Sequence, residues 1–248
     1  MRKQGNILLA LIVLIVFWQI LALLINQPIL PPPGIVAVAL WKEATQGQLL
    51  THFFASLWRV LGGMLVSVLL AAPAGLVLGQ SPWLNRIVSP LIYWLYPIPK
   101  VVLVPVVLLL LGIGDAPKIV LIFLILFFQI LVLVRDQAAA LRPELIQSVR
   151  SLGAGRRALF RFVYLPASLP AILTALRQSV GTAMAILYVA ELFATQFGLG
   201  YYIYLNGSTL YNYPAMYAGI VTMSVMGMLL YFGIDALERR LCPWLFLK

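Results

Sequence analysis

The sequence is short of charge. Only 10% of its 248 residues are Asp, Glu, Lys or Arg, where a soluble domain carries about 25%. Acids are scarcest, at seven, and there is one histidine and one cysteine. The lone thiol, Cys242 beside Arg239 and Arg240, can form no internal disulfide. One histidine and one cysteine give no metal-ligand spacing. Apart from Asp235 and Glu238, the acids are widely separated in sequence, and no acid–base pair is evident. No GxxxxGK[ST] occurs, so the chain has no P-loop to cradle nucleotide phosphates. No catalytic residue is nominated.

What is present is apolar. Hydrophobic residues make up 63% of the chain and its mean hydropathy is +1.02. A soluble protein of this size would need far more surface charge, and disordered, collagen-like and disulfide-rich chains are excluded by the same numbers. The chain reads as an all-α, polytopic transmembrane bundle, a single domain over 1–248. Its net charge of +10, from 17 Lys+Arg against 7 Asp+Glu, could signal nucleic acid. Cytoplasmic loops of membrane proteins also collect Lys and Arg, so the charge must first be placed on a topology.

About six spans can be laid along the chain. The first, over 7–25, is longer than a signal-peptide core of about 7–15 residues and has no cleavage site after it. Pro31, Pro32 and Pro33 force an extended segment, and 34–51 is polar enough for an interfacial helix. The second span, 58–80, holds Gly75 and Gly79 at GxxxG spacing, which permits close helix approach. A connection over 81–89 carries Arg86. The third span, 90–112, contains Pro90, Pro97, Pro99, Lys100 and Pro105. Broken backbone in lipid survives only where protein or a cavity covers it, so this segment faces the bundle interior. A tight turn over 112–117, a fourth span over 118–134, a polar insertion over 135–161, and spans over 170–194 and 213–235 complete the reading.

With both termini inside, Arg2, Lys3, Arg86, the six arginines between Arg135 and Arg161, Arg177, Arg239, Arg240 and Lys248 fall on one side. Lys42, Arg59 and Lys118 fall on the other, and Lys100 is unassigned. That bias fits the positive-inside rule and leaves no need for a nucleic-acid partner.

The insertion is the most informative segment. Pro143 and Glu144 start a helix. Ile146, Val149 and Leu152 recur on one face, and Gly153-Ala154-Gly155 end it. A second short helix from Arg156 and Arg157 to Tyr164 leads to Leu165-Pro166. An amphipathic helix–Gly–helix outside the bilayer exposes apolar surface unless it docks on something.

These residues resemble the EAA loop of ABC importer permeases, EAA-x3-G-x9-I-x-L-P. Gln147, Ser148 and Val149 stand at the EAA positions, Gly153 at the glycine, Val163 at the Ile, and Leu165-Pro166 close the motif. Ser56-Leu-Trp-Arg59-Val-Leu-Gly62, Pro97-Ile-Pro99-Lys100 through Pro105, Gly112-Ile-Gly114, and Glu191 through Gly198-Leu199-Gly200 are similar to the nitrate/sulfonate/taurine/bicarbonate branch.

The resemblance implies a type I importer permease: 1–50 an N-terminal span and external segment, 51–248 the core, 136–166 a cytoplasmic coupling loop. It also implies a bacterial inner-membrane location with both termini cytoplasmic. The partners it implies are a second permease copy, two cytoplasmic ATPases that bind ATP and Mg, and an external solute-binding protein. The chain itself would hold no cofactor and catalyse nothing. The solute would be a small anion such as nitrate, bicarbonate, a sulfonate or taurine, or else a vitamin precursor. The ATPase contact would fall on Glu144, Gln147, Ser148, Val149, Gly153, Ala154, Arg156, Arg157, Leu165 and Pro166.

An ATP-independent secondary carrier or channel is the alternative, but it predicts more acids inside the spans than occur here. An ionisable group at mid-bilayer costs about 2.5–3.5 kcal/mol. The pathway candidates are therefore Arg59, Lys100 and Glu191, with the kink at Pro97 and Pro99. For Lys100, snorkelling to a headgroup competes with a pathway charge. For Glu191, an ion pair with Arg59 competes with gating. Arg177 reads as an anchor, Asp235 and Glu238 as a solvated helix end. Tyr201, Tyr202, Tyr204, Tyr211 and Tyr213 form either an interfacial belt or a docking scoop.

Overall fold

The computed structural model describes residues 2–193 and 195–245, without the side chains of residues 2–8 and of Arg156. The side chains of Arg2 and Lys3, and Lys248 altogether, thus lie outside the described residues. Regular structure among the described residues is helical. In chain order it comprises α1 (Arg2–Ile25), α2 (Pro33–Thr45), α3 (Leu49–Gln80), α4 (Pro82–Leu95), α5 (Val104–Leu111), α6 (Asp115–Ala139), α7 (Pro143–Ser151), α8 (Arg156–Leu159), α9 (Leu165–Glu191), α10 (Leu199–Tyr204) and α11 (Tyr213–Leu241). A 3₁₀ turn over Lys100–Leu103 precedes α5, and π-helical turns over Phe160–Tyr164 and Leu205–Thr209 follow α8 and α10.

Four helical stretches are long and apolar enough to cross a bilayer: Leu49–Gln80, Asp115–Ala139, Arg157–Glu191 and Tyr213–Leu241. The pair Pro82–Leu95 and Lys100–Leu111, bent by 78°, supplies a fifth if taken as one broken span. Leu9–Ile25, the part of α1 whose side chains are described, is a further apolar helical stretch.

Contacts divide the chain into two units, 1–56 with 195–225, and 57–194 with 226–248. In the first, Trp18 of α1 packs its ring against Tyr217 at 5.7 Å. Gly219 lies so close to Tyr202 and Ile203 that an added Cβ would meet them at 2.9 and 2.8 Å.

The second unit is built around α6. Ile122, Leu126, Ile130, Val134 and Ala138 recur every four residues and are all buried, a ridge suited to packing against neighbouring helices. One neighbour is α9. Another is α3, whose glycines let the backbones close. A Cβ on Gly63 would sit 2.6 Å from the Ile122 Cβ, and one on Gly79 would sit 2.5 Å from the Arg135 carbonyl oxygen and 2.6 Å from the Ala138 Cβ. The GxxxG of Gly75 and Gly79 is thus a contact surface for α6.

Before the middle of α6, three boundaries differ from the sequence expectation. The second span begins at Leu49 rather than near 58, because His52, Ser56 and Arg59 all find partners and none needs bulk water. The expected connection over 81–89 is helical. The Ser81 hydroxyl accepts the Leu84 N–H at 3.4 Å and Pro82 fits the first turn, so α4 starts at once. The turn expected over 112–117 is confined to Gly112–Gly114, where φ of +75° at Gly112 and +151° at Gly114 require glycine.

Gly79→Val is expected to lower the melting temperature of the detergent-solubilised protein, with overpacking of about 1–3 kcal/mol. Gly181→Ala, where an added Cβ meets nothing within 4 Å, should be neutral or slightly stabilising. Equal melting of Gly79→Val and the unaltered protein would contradict the close approach of α3 and α6.

Candidate functional site

The insertion between α6 and α9 folds as its pattern suggests. Pro143 occupies the first turn of α7, Glu144 complements its N-terminal dipole and Arg150 its C-terminal one. Gly153 ends it with φ of +81°, its N–H donating to the Arg150 carbonyl at 2.9 Å. The chain then turns into α8, which Arg156 opens; its side chain lies outside the described residues.

Leu159, Val163 and Tyr164 form a small buried cluster against Leu141, Ile146 and Val149. Two of the three apolar α7 positions therefore face inward. Leu152 does not: it is 85% exposed, because the helix has already ended there and the turn points it away. Glu144, Gln147, Ser148, Gly153, Arg157 and Leu165 are exposed, while Val149, Ala154 and Pro166 are half-buried.

From α8 the helix runs on through the π turn into α9. Pro166 has no N–H to donate and crowds the carbonyl one turn back. A local i→i+5 pattern, with the Leu165 N–H bonded to the Phe160 carbonyl, accommodates it without a break. The loop is thereby continuous with a membrane span, where the sequence placed the start of that span at 170.

Arg59 of α3 is the hub of an ion cluster. Its Nε donates to the Asp115 Oδ1 and its Nη1 to the Glu191 Oε1, both at 2.7 Å. Glu191 is fully buried and Arg59 is 5% exposed. Lys118, also fully buried, donates to the Gly114 carbonyl at 2.8 Å and shares the field of the other three. Two cations and two carboxylates sum to zero, which lets the group sit where an isolated charge would be prohibitive. It ties a position ten residues into α3 to the start of α6 and the end of α9. The sequence reading anticipated the Arg59–Glu191 pair; it counted Lys118 only as an orientation charge and missed Asp115. The available signal was the acid three residues before the lysine, one helical turn apart.

Lys100 has a local role that neither of the two readings offered for it names. Tyr96–Pro99 interrupt the helix between α4 and the 3₁₀ turn, and the Lys100 Nζ donates to the carbonyls of Leu95, Tyr96 and Ile98 at 2.9, 3.0 and 3.1 Å. It also lies 4.7 Å from the Phe128 ring centre. The ammonium thus satisfies carbonyls that the helix break leaves open, among them that of Leu95, whose helical donor would have been the missing N–H of Pro99.

Arg177 and its acidic partners also depart from expectation. Arg177 bridges Asp235 at 2.6 Å and Glu238 at 2.8 Å, and Glu238 is buried. The two acids are therefore partners linking α9 to α11, not a solvated end.

In the first unit, the His52 Nδ1 lies 3.0 Å from both the N–H and the carbonyl of Gly198, and the Ser56 hydroxyl accepts the Leu199 N–H at 2.7 Å. These contacts hold the entry to α10. Tyr202 is buried there, and burial, with the Glu43 carboxylate adding to it, pushes its phenol well above the ordinary range. Tyr204 and Tyr211 are exposed, Tyr201 and Tyr213 half-buried.

The family model described as binding-protein-dependent transport system inner membrane component matches residues 63–242. The chain belongs to that family. The taurine transport system permease protein TauC of Escherichia coli (strain K12) is 35% identical over 94% of this chain and 86% of its own length. The formylaminopyrimidine transport permease protein ThiX of Halalkalibacterium halodurans is 30% identical over 94% of this chain and 93% of its own. Among solved structures, an inward-facing form of the MetNI methionine ABC transporter superposes with a TM-score of 0.67 at 21% identity, covering 80% of this chain and 98% of that one. The chain is accordingly a permease subunit of an ABC importer, with the fold of that class, and the ATP-independent carrier is set aside.

Breaking one side of the ion cluster is expected to be costly. Glu191→Gln should destabilise the protein by about 3–5 kcal/mol, the range for removing one partner of a buried pair. Asp115→Asn, at the exposed member, should cost far less. Thermal melts of the two variants that coincide would contradict this ranking.

Proposed function

We propose that two copies of this chain form the translocation pathway of an inner-membrane importer, each bound through residues 136–166 to a cytoplasmic ATPase. In this reading both termini are cytoplasmic, and an external binding protein delivers the solute. ATP and Mg belong to the ATPase; this chain, without a P-loop, hydrolyses nothing. Closure of the ATPase pair moves α7, and α7 moves α9.

The observation that carries the proposal is the docking of α7 on the Leu159–Val163–Tyr164 cluster, in line with an unbroken helix into the span. An exposed helix joined to a span by a packed core and a continuous helix transmits displacement; one on a loose loop would not. Gln147 and Ser148 face outward from it, as contact residues must. Arg59 and Glu191 hold helix ends, while Pro97, Pro99 and Lys100 shape the pathway wall.

The solute is a small anion, with taurine-like sulfonates placed first because of the TauC similarity, ahead of nitrate, bicarbonate or a vitamin precursor of the ThiX kind.

Ser148→Cys tests the docking. Burial, aided by Glu238, pushes the native Cys242 thiol up, so it stays protonated and does not compete for crosslinker. We expect Ser148→Cys to crosslink to cysteines in the groove of the ATPase. Gly153→Val, which forces a branched residue to positive φ, should uncouple ATP hydrolysis from uptake. Absence of crosslinks at 144, 147 and 148 alike would overturn the assignment.

A further inference from the structure

A small polar pocket of about 200 Å³ lies among the helices of the second unit, lined by Tyr96, Gln129, Leu133, Ala175, Gln178 and Ser179. Gln129 is near the middle of α6 and Gln178 near the middle of α9. Polar side chains at that depth of a span are costly unless they are paired. Ser179 is paired, its hydroxyl donating to the Ala175 carbonyl at 2.8 Å. Among the described residues, neither the Gln129 nor the Gln178 side chain makes a hydrogen bond within the chain. Half-buried Gln129 and exposed Gln178 thus share one open hollow with Tyr96, itself 46% exposed, and both amides have donors to spare.

No charged side chain of either sign lines the hollow. Tyr96 belongs to the helix break, and the Lys100 ammonium is bound to the Tyr96 carbonyl at 3.0 Å. The wall therefore offers N–H and O–H donors next to a cation. A discontinuous helix beside a mid-span polar pocket is the arrangement by which membrane proteins expose backbone and side-chain dipoles to a solute. By contrast, the larger hollow lined by Pro73, Val77, Leu91 and Phe127 is almost wholly apolar and offers nothing to a polar solute.

We propose that the Tyr96–Gln129–Gln178–Ser179 pocket is a solute-selecting site in the permease itself, for the oxyanion group of a small organic sulfonate or carboxylate. Gln129 and Gln178 donate to the anion's oxygens, the Tyr96 hydroxyl adds a third donor, and Lys100 supplies the balancing charge without leaving its carbonyls. The site rests on the permease reading above and adds to it a discrimination step after delivery by the binding protein.

The test uses the permease–ATPase complex in lipid nanodiscs, with equilibrium binding of taurine and butanesulfonate, and of thymine as a neutral heterocyclic probe. We expect saturable binding of both sulfonates and little of thymine. Gln129→Leu and Gln178→Leu should each weaken sulfonate binding about tenfold or more, as for loss of a hydrogen bond to a charged group. Melting temperature and ATPase co-purification should persist. Gln129→Glu keeps the size but turns a negative charge on the anion, so it should weaken binding at least as much; it decides the matter should the leucine variants fail to fold. No sulfonate binding, sulfonate binding unaltered in the variants, or a preference for thymine overturns the proposal. Failure of the chain to co-purify with an ATPase strikes the permease reading instead.

Discussion

A carbonyl inside a bilayer has no water to turn to, and each one left without a donor costs free energy comparable to a lost hydrogen bond. This constraint governs the segment between α4 and α5. Pro97 and Pro99 remove donors and open the helix at Tyr96–Pro99, leaving the carbonyls of Leu95, Tyr96 and Ile98 to be satisfied. Lys100 does so with all three ammonium hydrogens. The break can then persist as a fixed 78° bend, and Tyr96 at the break lines a hollow together with Gln129 of α6 and Gln178 of α9. A charge that composition alone marks as an anomaly in a span is there because the backbone around it is irregular.

The same rule of internal satisfaction accounts for the other buried charges. Arg59, Lys118, Asp115 and Glu191 neutralise one another between α3, the start of α6 and the end of α9. Arg177 does likewise with Asp235 and Glu238 between α9 and α11. Both groups involve α9, the span continuous with the α7–α8 insertion. Held at both ion clusters, α9 is better suited to move as a stiff body than to bend, which is what the proposed coupling through α7 would require.

Much of this was legible in the residues. The helix–Gly–helix of 143–164 follows from Pro143, Glu144 and Gly153, and the close approach of α3 follows from Gly75 and Gly79. The Arg59–Glu191 pair could be inferred from two lone opposite charges at matching levels of their spans. What was not legible shares one cause. A sequence shows that Pro97 and Pro99 leave carbonyls unpaired, but not which donor reaches them, so Lys100 read as a pathway charge or a snorkelling one. Asp235 and Glu238 have arginines beside them in sequence, and that local match hid the longer-range partner, Arg177. Leu152 fits the apolar period of α7, yet Gly153 ends the helix before the period can place it. Gln129 and Gln178 drew no notice because an uncharged amide hardly alters hydropathy; only the fold brings them to one hollow.

Replacing Lys100 in the reconstituted transporter tests the central claim most directly. Lys100→Met keeps the length of the side chain and removes its donors. If the ammonium holds the helix break open, ATP-driven uptake should fall to background and the melting temperature should drop, with Lys100→Arg restoring part of both. Uptake and melting of Lys100→Met equal to those of the unaltered protein would contradict the account.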